Sequence, residues 1–124
     1  MMNINDLEVI ITQEIGIQVS NQGDYLIGHW KLDNGELLGI IFYHDEELKL
    51  TYITARLPEL DKKGNILNMQ LLKENLKIPL VKFCLDKESR VMVLSEIRDD
   101  MLTGEHVKRA LYSLVKATGK YLKL

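Results

Sequence analysis

Three strand-like runs follow one another in residues 25–57, whose sequence is YLIGHWKLDNGELLGIIFYHDEELKLTYITARL. Between the first two runs lies Asp33-Asn34-Gly35, and these residue types tolerate the positive φ of a tight hairpin turn. A second polar turn, residues 44–47, separates the second run from the third. The pattern predicts an antiparallel meander of three strands.

The segments before and after this meander predict two helices. The first begins at Asn5, whose side chain is placed to form a capping box with Glu8, and it ends at Gly16. The second begins near Asn65 and stops before Pro79, which cannot continue a helix. One helix is therefore expected on each side of the meander in the sequence.

The rest of the chain predicts a second hairpin and a final helix. Residues 81–85 and 91–96 form two strand-like runs around a polar turn, and Thr103 is the expected N-cap of the last helix. The expected apolar stripe of that helix consists of Val107, Ala110, Leu111, Leu114, Val115, Thr118, Tyr121 and Leu122. The order αβββαββα predicts one α+β domain spanning residues 1–124, in which helices pack on a five-stranded antiparallel sheet.

The composition is that of a small globular domain. The chain has 124 residues, of which 46% are hydrophobic and 27% are charged, and this length is enough to bury a core. The net charge of −2 argues against a general nucleic-acid binder, and no apolar stretch is long enough to span a membrane. The basic residues of the final helix, which an anionic membrane or phosphate could also attract, are interpreted as a solvated face. With no secretory signal pattern and a single cysteine, we expect a cytoplasmic protein without a nucleic-acid or membrane partner.

The sequence offers little catalytic or metal-binding chemistry. His29, His44 and His106 are not at the spacing that places two ligands on one helical face, and none lies near Cys84 in the sequence. Cys84 lies in a predicted strand, where an inert thiol is usual, although Lys82 shares its strand face and leaves a nucleophilic role open. We predict no catalytic, cofactor-binding or metal-binding residue and no cofactor. The alternative is a small enzyme or ligand-binding domain whose site is assembled only in three dimensions.

A family resemblance comes from the element order and from residues 71–86, LLKENLKIPLVKFCLD. The order αβββαββα in a small acidic protein resembles the fold of type III secretion chaperones. Residues 71–86 are similar to the leucine-rich helix ending in Asn, the apolar bend and the strand of the YbjN-like relatives of that fold. The resemblance implies a non-enzymatic protein-binding module, chaperone-like or regulatory. Secretion chaperones of this fold are homodimers that hold a partially unfolded stretch of a partner, and YbjN-like proteins are labelled as sensory-transduction regulators.

Spare apolar surface indicates where such a partner would bind. The middle strand of the meander is apolar on both faces, which is typical of a central strand covered twice, yet three helices are too few to cover a five-stranded sheet on both sides. We therefore expect Leu37, Ile41 and Tyr43 to stay open for a partner protein or client segment.

The second helix also has more apolar positions than one buried stripe requires, and the resemblance implies that a symmetric homodimer uses them. The predicted dimer interface consists of Ile66, Met69, Leu72 and Leu76. The alternative is that all of these side chains cover one another in a monomer.

Overall fold

The computed structural model describes residues 2–60 and 64–124 of the chain. Within these residues the helices are α1 (Ile4–Val9, which continues as a π-helix over Ile10–Ile15), α2 (Gly64–Glu74) and α3 (Gly104–Leu122). The strands are β1 (Val19–Asn21), β2 (Tyr25–Lys31), β3 (Leu37–Asp45), β4 (Leu50–Arg56), β5 (Lys82–Leu85) and β6 (Val91–Arg98). A short 3-10 helix, Asp99–Met101, connects β6 to α3.

The strands form one antiparallel sheet in the order β1-β2-β3-β4-β6-β5. This confirms the predicted α+β fold with its meander and its second hairpin. The described residues form six strands rather than the predicted five, because β1 pairs with β2 through Val19↔Gly28 and Asn21↔Leu26. A strand of three residues is too short to show the alternation by which strands are recognised in a sequence.

The turn between β2 and β3 forms as the sequence predicts. Gly35 has a φ of 89°, which is in the left-handed region that favours glycine. The Leu32 amide donates to the Glu36 carbonyl over 2.8 Å and closes the hairpin. Lys31 therefore pairs with Leu37, and this register places the odd-numbered side chains of β2 and β3 on one face of the sheet and the even-numbered ones on the other.

Helices α1 and α3 pack on one face of the sheet, which we call the inner face. Even-numbered side chains of β2 and β3 and odd-numbered side chains of β4 and β6 form the strand layer of the core. Its buried apolar residues include Leu26, Leu38, Ile40, Phe42, Ile53, Ala55 and Val93.

Helix α3 supplies a long apolar stripe to this core. Its buried residues are Val107, Ala110, Leu111, Leu114, Ala117, Thr118 and Tyr121. The side chain of Thr103 caps the helix as predicted, but the stripe differs from the prediction near its end, where Val115 and Leu122 are only half-buried. Tyr121 is buried there as predicted, and its hydroxyl donates to the Pro58 carbonyl, which satisfies the polar end of the ring.

Helix α1 begins earlier than predicted. Its N-cap is Asn3, whose side chain accepts from the Asp6 amide over 2.9 Å, while the Asp6 carboxylate accepts from the Asn3 amide over 3.0 Å. The sequence contains this capping pattern twice, once from Asn3 to Asp6 and again from Asn5 to Glu8. The earlier copy forms the capping box, since α1 already includes Asn5.

Candidate functional site

The face of the sheet that points away from α1 and α3, which we call the outer face, carries rows of side chains aligned by the strand register. The first row is aromatic and ends in an acid: Tyr25, Tyr43, Tyr52 and Glu96. The second row is mostly aliphatic: Ile27, Ile41, Thr54 and Leu94. In the first row the rings of Tyr43 and Tyr52 stack with centroids 6.1 Å apart. Desolvation and then the charge of Glu96 raise the pKa of Tyr52, so its hydroxyl is uncharged at neutral pH.

Along β3, side chains on the outer face are exposed, whereas their neighbours on the inner face are buried. Ile41 is 42% exposed and Tyr43 is 41% exposed, whereas their neighbours Ile40 and Phe42 on the inner face are 1% and 0% exposed. Leu37, at the start of β3, is more than half exposed. The structure therefore places all three residues predicted to contact a partner on the open side of one strand.

A shallow depression of about 350 Å³ lies in the outer face. It is lined by Ile27, Gly39, Ile41, Thr54, Arg56 and Met92. Gly39 helps to leave it open, since no atom lies within 4 Å of the position that a Cβ at this residue would take. Arg56 Nη2 lies 3.3 Å from Asp86 Oδ2. An open apolar depression of this kind suits the side chains of a peptide better than a small polar substrate, which needs a deeper pocket with converging polar groups.

A second exposed apolar surface runs along α2 and the turn that follows it. We call it the α2 stripe, and it consists of Ile66, Met69, Leu72 and Leu76. Each of these side chains is more than half exposed; the spacing of Ile66, Met69 and Leu72 places them on one side of the helix, and Leu76 lies in the turn that follows. Leu67 and Leu71 are buried and attach α2 to the domain. The structure thus brings together the residues predicted for a dimer interface, on the solvent side of α2.

An apolar cavity of about 420 Å³ lies between α2 and β5, and Cys84 is one of its lining residues. Burial, and then the negative charge of Asp86, raise the pKa of the Cys84 thiol. Lys82, which the sequence left as a candidate to activate this thiol, instead donates from Nζ to the backbone carbonyls of Asn75 and Ile78. The thiol is therefore protonated at neutral pH and is poorly suited to act as a nucleophile.

The three histidines occupy separate places in the fold. His29 is exposed on the outer face, and His106 Nδ1 lies 2.8 Å from Thr103 Oγ1 at the start of α3. His44 is buried, and its Nε2 lies 2.9 Å from Asp99 Oδ1. Sequence reasoning assigned His44 to a turn and missed this pair, which ties the end of β3 to the 3-10 helix before α3.

Neither a metal-binding cluster nor a membrane-spanning helix occurs in residues 2–60 and 64–124. No group of three or more His, Cys, Asp or Glu side chains in these ranges could hold a metal ion. No helix there has the length and apolar character needed to cross a membrane. On the basic side of α3, Arg109 pairs with Glu105 over 2.9 Å and Lys108 Nζ lies 5.9 Å from the ring centroid of Tyr112, so these cations have contacts within their own helix.

Comparison with known proteins identifies the fold. No protein-family model and no curated protein sequence matches the chain. A chain of the HopA1–SchA chaperone–effector complex matches with a TM-score of 0.73 and 15% identity, over 97% of this chain and 93% of that chain. The type III secretion chaperone SycH of Yersinia pestis, in complex with a stable fragment of YscM2, matches with a TM-score of 0.66 and 20% identity, over 96% and 99% of the two chains. The chain has the type III secretion chaperone fold.

A further match, to a chain of the ExsC–ExsE complex, has a TM-score of 0.71 and 17% identity and covers 100% of this chain and 96% of that chain. The chaperone fold was predicted from the element order, and these structures confirm it. The narrower likeness to the YbjN family stays a prediction. At such identities the matches establish the chaperone fold alone, so the residues that would contact a partner have to be found among the exposed side chains of this chain.

Proposed function

We propose that the chain is a chaperone-like or regulatory protein-binding module without enzymatic activity, which holds an extended segment of a partner protein on its outer face. The observation that carries this proposal is the exposed apolar surface around Leu37, Ile41 and Tyr43. Two of its structural neighbours support it, because one belongs to a chaperone–effector complex and the other was solved with a fragment of YscM2. We also propose a cytoplasmic location, which suits the free thiol of Cys84.

An extended segment suits the geometry of the outer face. Ile41 and Tyr43 are two residues apart on β3, and alternate side chains of an extended peptide have the same spacing. A peptide lying along β3 would therefore place one apolar side chain over each row, and the depression beside Gly39 would receive a third. Burying the exposed parts of Ile41 and Tyr43 would contribute roughly 1 kcal/mol each.

We further propose that two copies associate through the α2 stripe. The stripe lies on one side of a short helix, and each of its side chains is more than half exposed. A two-fold axis would set the stripe of one copy against the same stripe of the other, so that the apolar surface of both copies is removed from water. Exposed apolar surface of this extent is typical of an interaction site.

Partner binding is tested with two charge substitutions and a fluorescently labelled unfolded protein, reduced and carboxymethylated α-lactalbumin. Ile41→Asp places a carboxylate in the proposed contact, and we expect it to weaken binding at least about 10-fold because the charge would have to be desolvated. Val9→Asp is the matched control, since Val9 is similarly exposed but lies on α1, and it should bind as the wild type does. Equal binding by both variants, with unchanged thermal unfolding, would contradict the proposal.

Self-association is tested by sedimentation equilibrium at micromolar concentration. We expect a mass of twice 14.3 kDa for the wild type, and a shift to the single-chain mass for Leu72→Glu. Leu48→Glu, at an exposed leucine in the β3–β4 turn, is the control and should keep the wild-type mass. A wild-type mass near 14.3 kDa would contradict the dimer, while the unfolded-protein assay would still decide partner binding by itself.

A further inference from the structure

Strand β5 lies at one end of the sheet, and its outer edge is closed at Phe83 by the side chain of Asn75. The Phe83 amide donates to Asn75 Oδ1 over 2.7 Å, and Asn75 Nδ2 donates to the Phe83 carbonyl over 3.1 Å. A neighbouring antiparallel strand would form this same pair of bonds with Phe83. The amide of one side chain therefore occupies the place of a strand.

A second contact joins the end of α2 to β5, and here the side chain comes from the strand. Lys82 Nζ donates to the backbone carbonyls of Asn75 over 2.7 Å and Ile78 over 3.1 Å. Both carbonyls lie beyond Glu74, the last residue of α2, and a positive charge is favoured near the C-terminal end of a helix. Asn75 and Lys82 thus form a reciprocal clamp, in which each side chain binds the backbone of the opposite segment.

The clamp matters because apolar packing between α2 and β5 is incomplete. The buried apolar side chains of α2 are Leu67 and Leu71, and residues of both α2 and β5 line an open apolar cavity of about 420 Å³. Asn75 is itself one of the residues that line this cavity. Hydrogen bonds to the backbone therefore help to fix the end of α2 against the strand.

We propose that Asn75 is an edge plug, which prevents β5 from pairing with the β5 strand of a second copy for as long as α2 is seated. Unpaired strand edges readily pair with other chains, and Val81–Leu85, with the sequence VKFCL, is rich in apolar and β-forming residues. Leu85 has the same orientation in β5 as Phe83, so its backbone groups also point to the edge. With Asn75 removed, two β5 strands can pair antiparallel through Phe83 and Leu85. This inference goes beyond the proposed function and does not require that the α2 stripe form a dimer.

The wild-type protein provides the first test, by amide hydrogen exchange measured residue by residue. The Phe83 amide should exchange at least about 100-fold more slowly than the Leu85 amide, although both belong to the same sheet edge. Equal exchange of the two amides would overturn the proposal. This measurement needs no variant, so it can contradict the plug even if substitutions at Asn75 impair folding.

The second test compares Asn75→Leu with Asn68→Leu, a control on the same helix and the same cavity. Asn75→Leu should lose at least about 100-fold of the protection of the Phe83 amide and should associate to a larger mass than the wild type in sedimentation equilibrium. Asn68→Leu should do neither. Adding Leu85→Pro to Asn75→Leu should restore the wild-type mass, because proline removes an outward N–H that the new strand pair needs.

Two results would overturn the plug at this stage. The first is a folded Asn75→Leu protein whose Phe83 amide stays protected. The second is loss of that protection with no increase in mass, because Asn75 would then bind the edge without being what keeps a second strand away.

Discussion

The inner and outer faces of β3 carry side chains of similar hydrophobicity but differ in what covers them. Leu38, Ile40 and Phe42 lie under α1 and α3, whereas Ile41 and Tyr43 alternate with them and remain exposed. The chemistry of the side chains is nearly the same on both faces. A residue of β3 belongs to the core only because α1 and α3 cover its face of the sheet. The sequence of the strand alone does not show which face the helices cover.

This difference separates stability from binding within one strand. Side chains of the inner face are removed from water when the protein folds, so their substitution should lower the free energy of unfolding. Residues of the outer face keep a larger part of their surface exposed on folding, so their substitution should lower that free energy less. An exposed apolar surface of this kind supports the proposed binding role.

The largest expected effect concerns the helix that covers the inner face. Leu111→Asp should destabilise the domain by at least about 4 kcal/mol, because a buried apolar contact is lost and an unpaired carboxylate is desolvated. That is a large part of the stability of an ordinary domain, about 5–15 kcal/mol. Urea unfolding followed by circular dichroism measures the change. An unchanged midpoint would show that α3 does not form the core.

The next comparison uses two neighbouring aromatic residues. Phe42→Ala should cost about 3–5 kcal/mol, because it leaves a cavity between the sheet and the helices. Tyr43→Ala should cost less, about 1–2 kcal/mol, because its ring is 41% exposed and its removal opens no cavity in the core, although the stacking contact with Tyr52 is lost. The same urea titration applied to both variants decides this. Equal losses would mean that the outer face also contributes to the stability of the fold.

Two glycines, one on each face, offer a finer comparison. A Cβ on Gly28 would lie 3.2 Å from Val19 Cγ1, whereas a Cβ on Gly39 would have no atom within 4 Å. Gly39→Ala should therefore be more stable than Gly28→Ala by about 1 kcal/mol, since alanine restricts the unfolded chain in both but crowds β1 only in the latter. Thermal unfolding of the two variants measures the difference. The reverse order would contradict the assigned faces.

The smallest expected effect lies beside the outer face, where Arg56 pairs with Asp86. Hydrogen bonds from the backbone of Arg90 and of Glu88 to this carboxylate, together with the charge of Arg56, lower the pKa of Asp86 in the folded protein. Its contribution to stability is therefore present above the ordinary carboxyl pKa of about 4 and is lost as the pH falls through the lower folded value. Asp86→Asn should be less stable than the wild type at pH 6, and the gap should shrink at pH 3. A gap that grows on acidification would contradict this assignment.

The central part of the fold was predictable because local signals agree with each other. The three strand-like runs in residues 25–57 and the turn at Asp33-Asn34-Gly35 both predict an antiparallel meander, and the structure contains it. The position of Leu37, Ile41 and Tyr43 on an open face was predictable because three helices are too few to cover both faces of the sheet. Whether these three residues bind a partner stays a prediction.

Other features could not be predicted because they depend on contacts between distant segments. His44 and Asp99 are 55 residues apart in the chain and meet because β4 brings the ends of β3 and β6 together. The bonds from Asn75 to Phe83 depend on where α2 lies against β5, which periodicity does not encode. A helix ending in Asn just before a strand was visible in the sequence, but nothing local showed that its amide would bind the strand backbone.

The pairing of β4 with β6 also sets the order in which a ribosome can complete this sheet. The register from Leu50↔Arg98 to Arg56↔Met92 means that β4 has no neighbour on one side until β6 has been synthesised. At about 5–20 residues per second, the nascent chain would expose that edge of β4, together with the apolar side chains of the meander, for several seconds. The three strands of the meander are thus synthesised early in translation, but the free edge of β4 is paired only late. The hairpin β5–β6 is the last part of the sheet to be added.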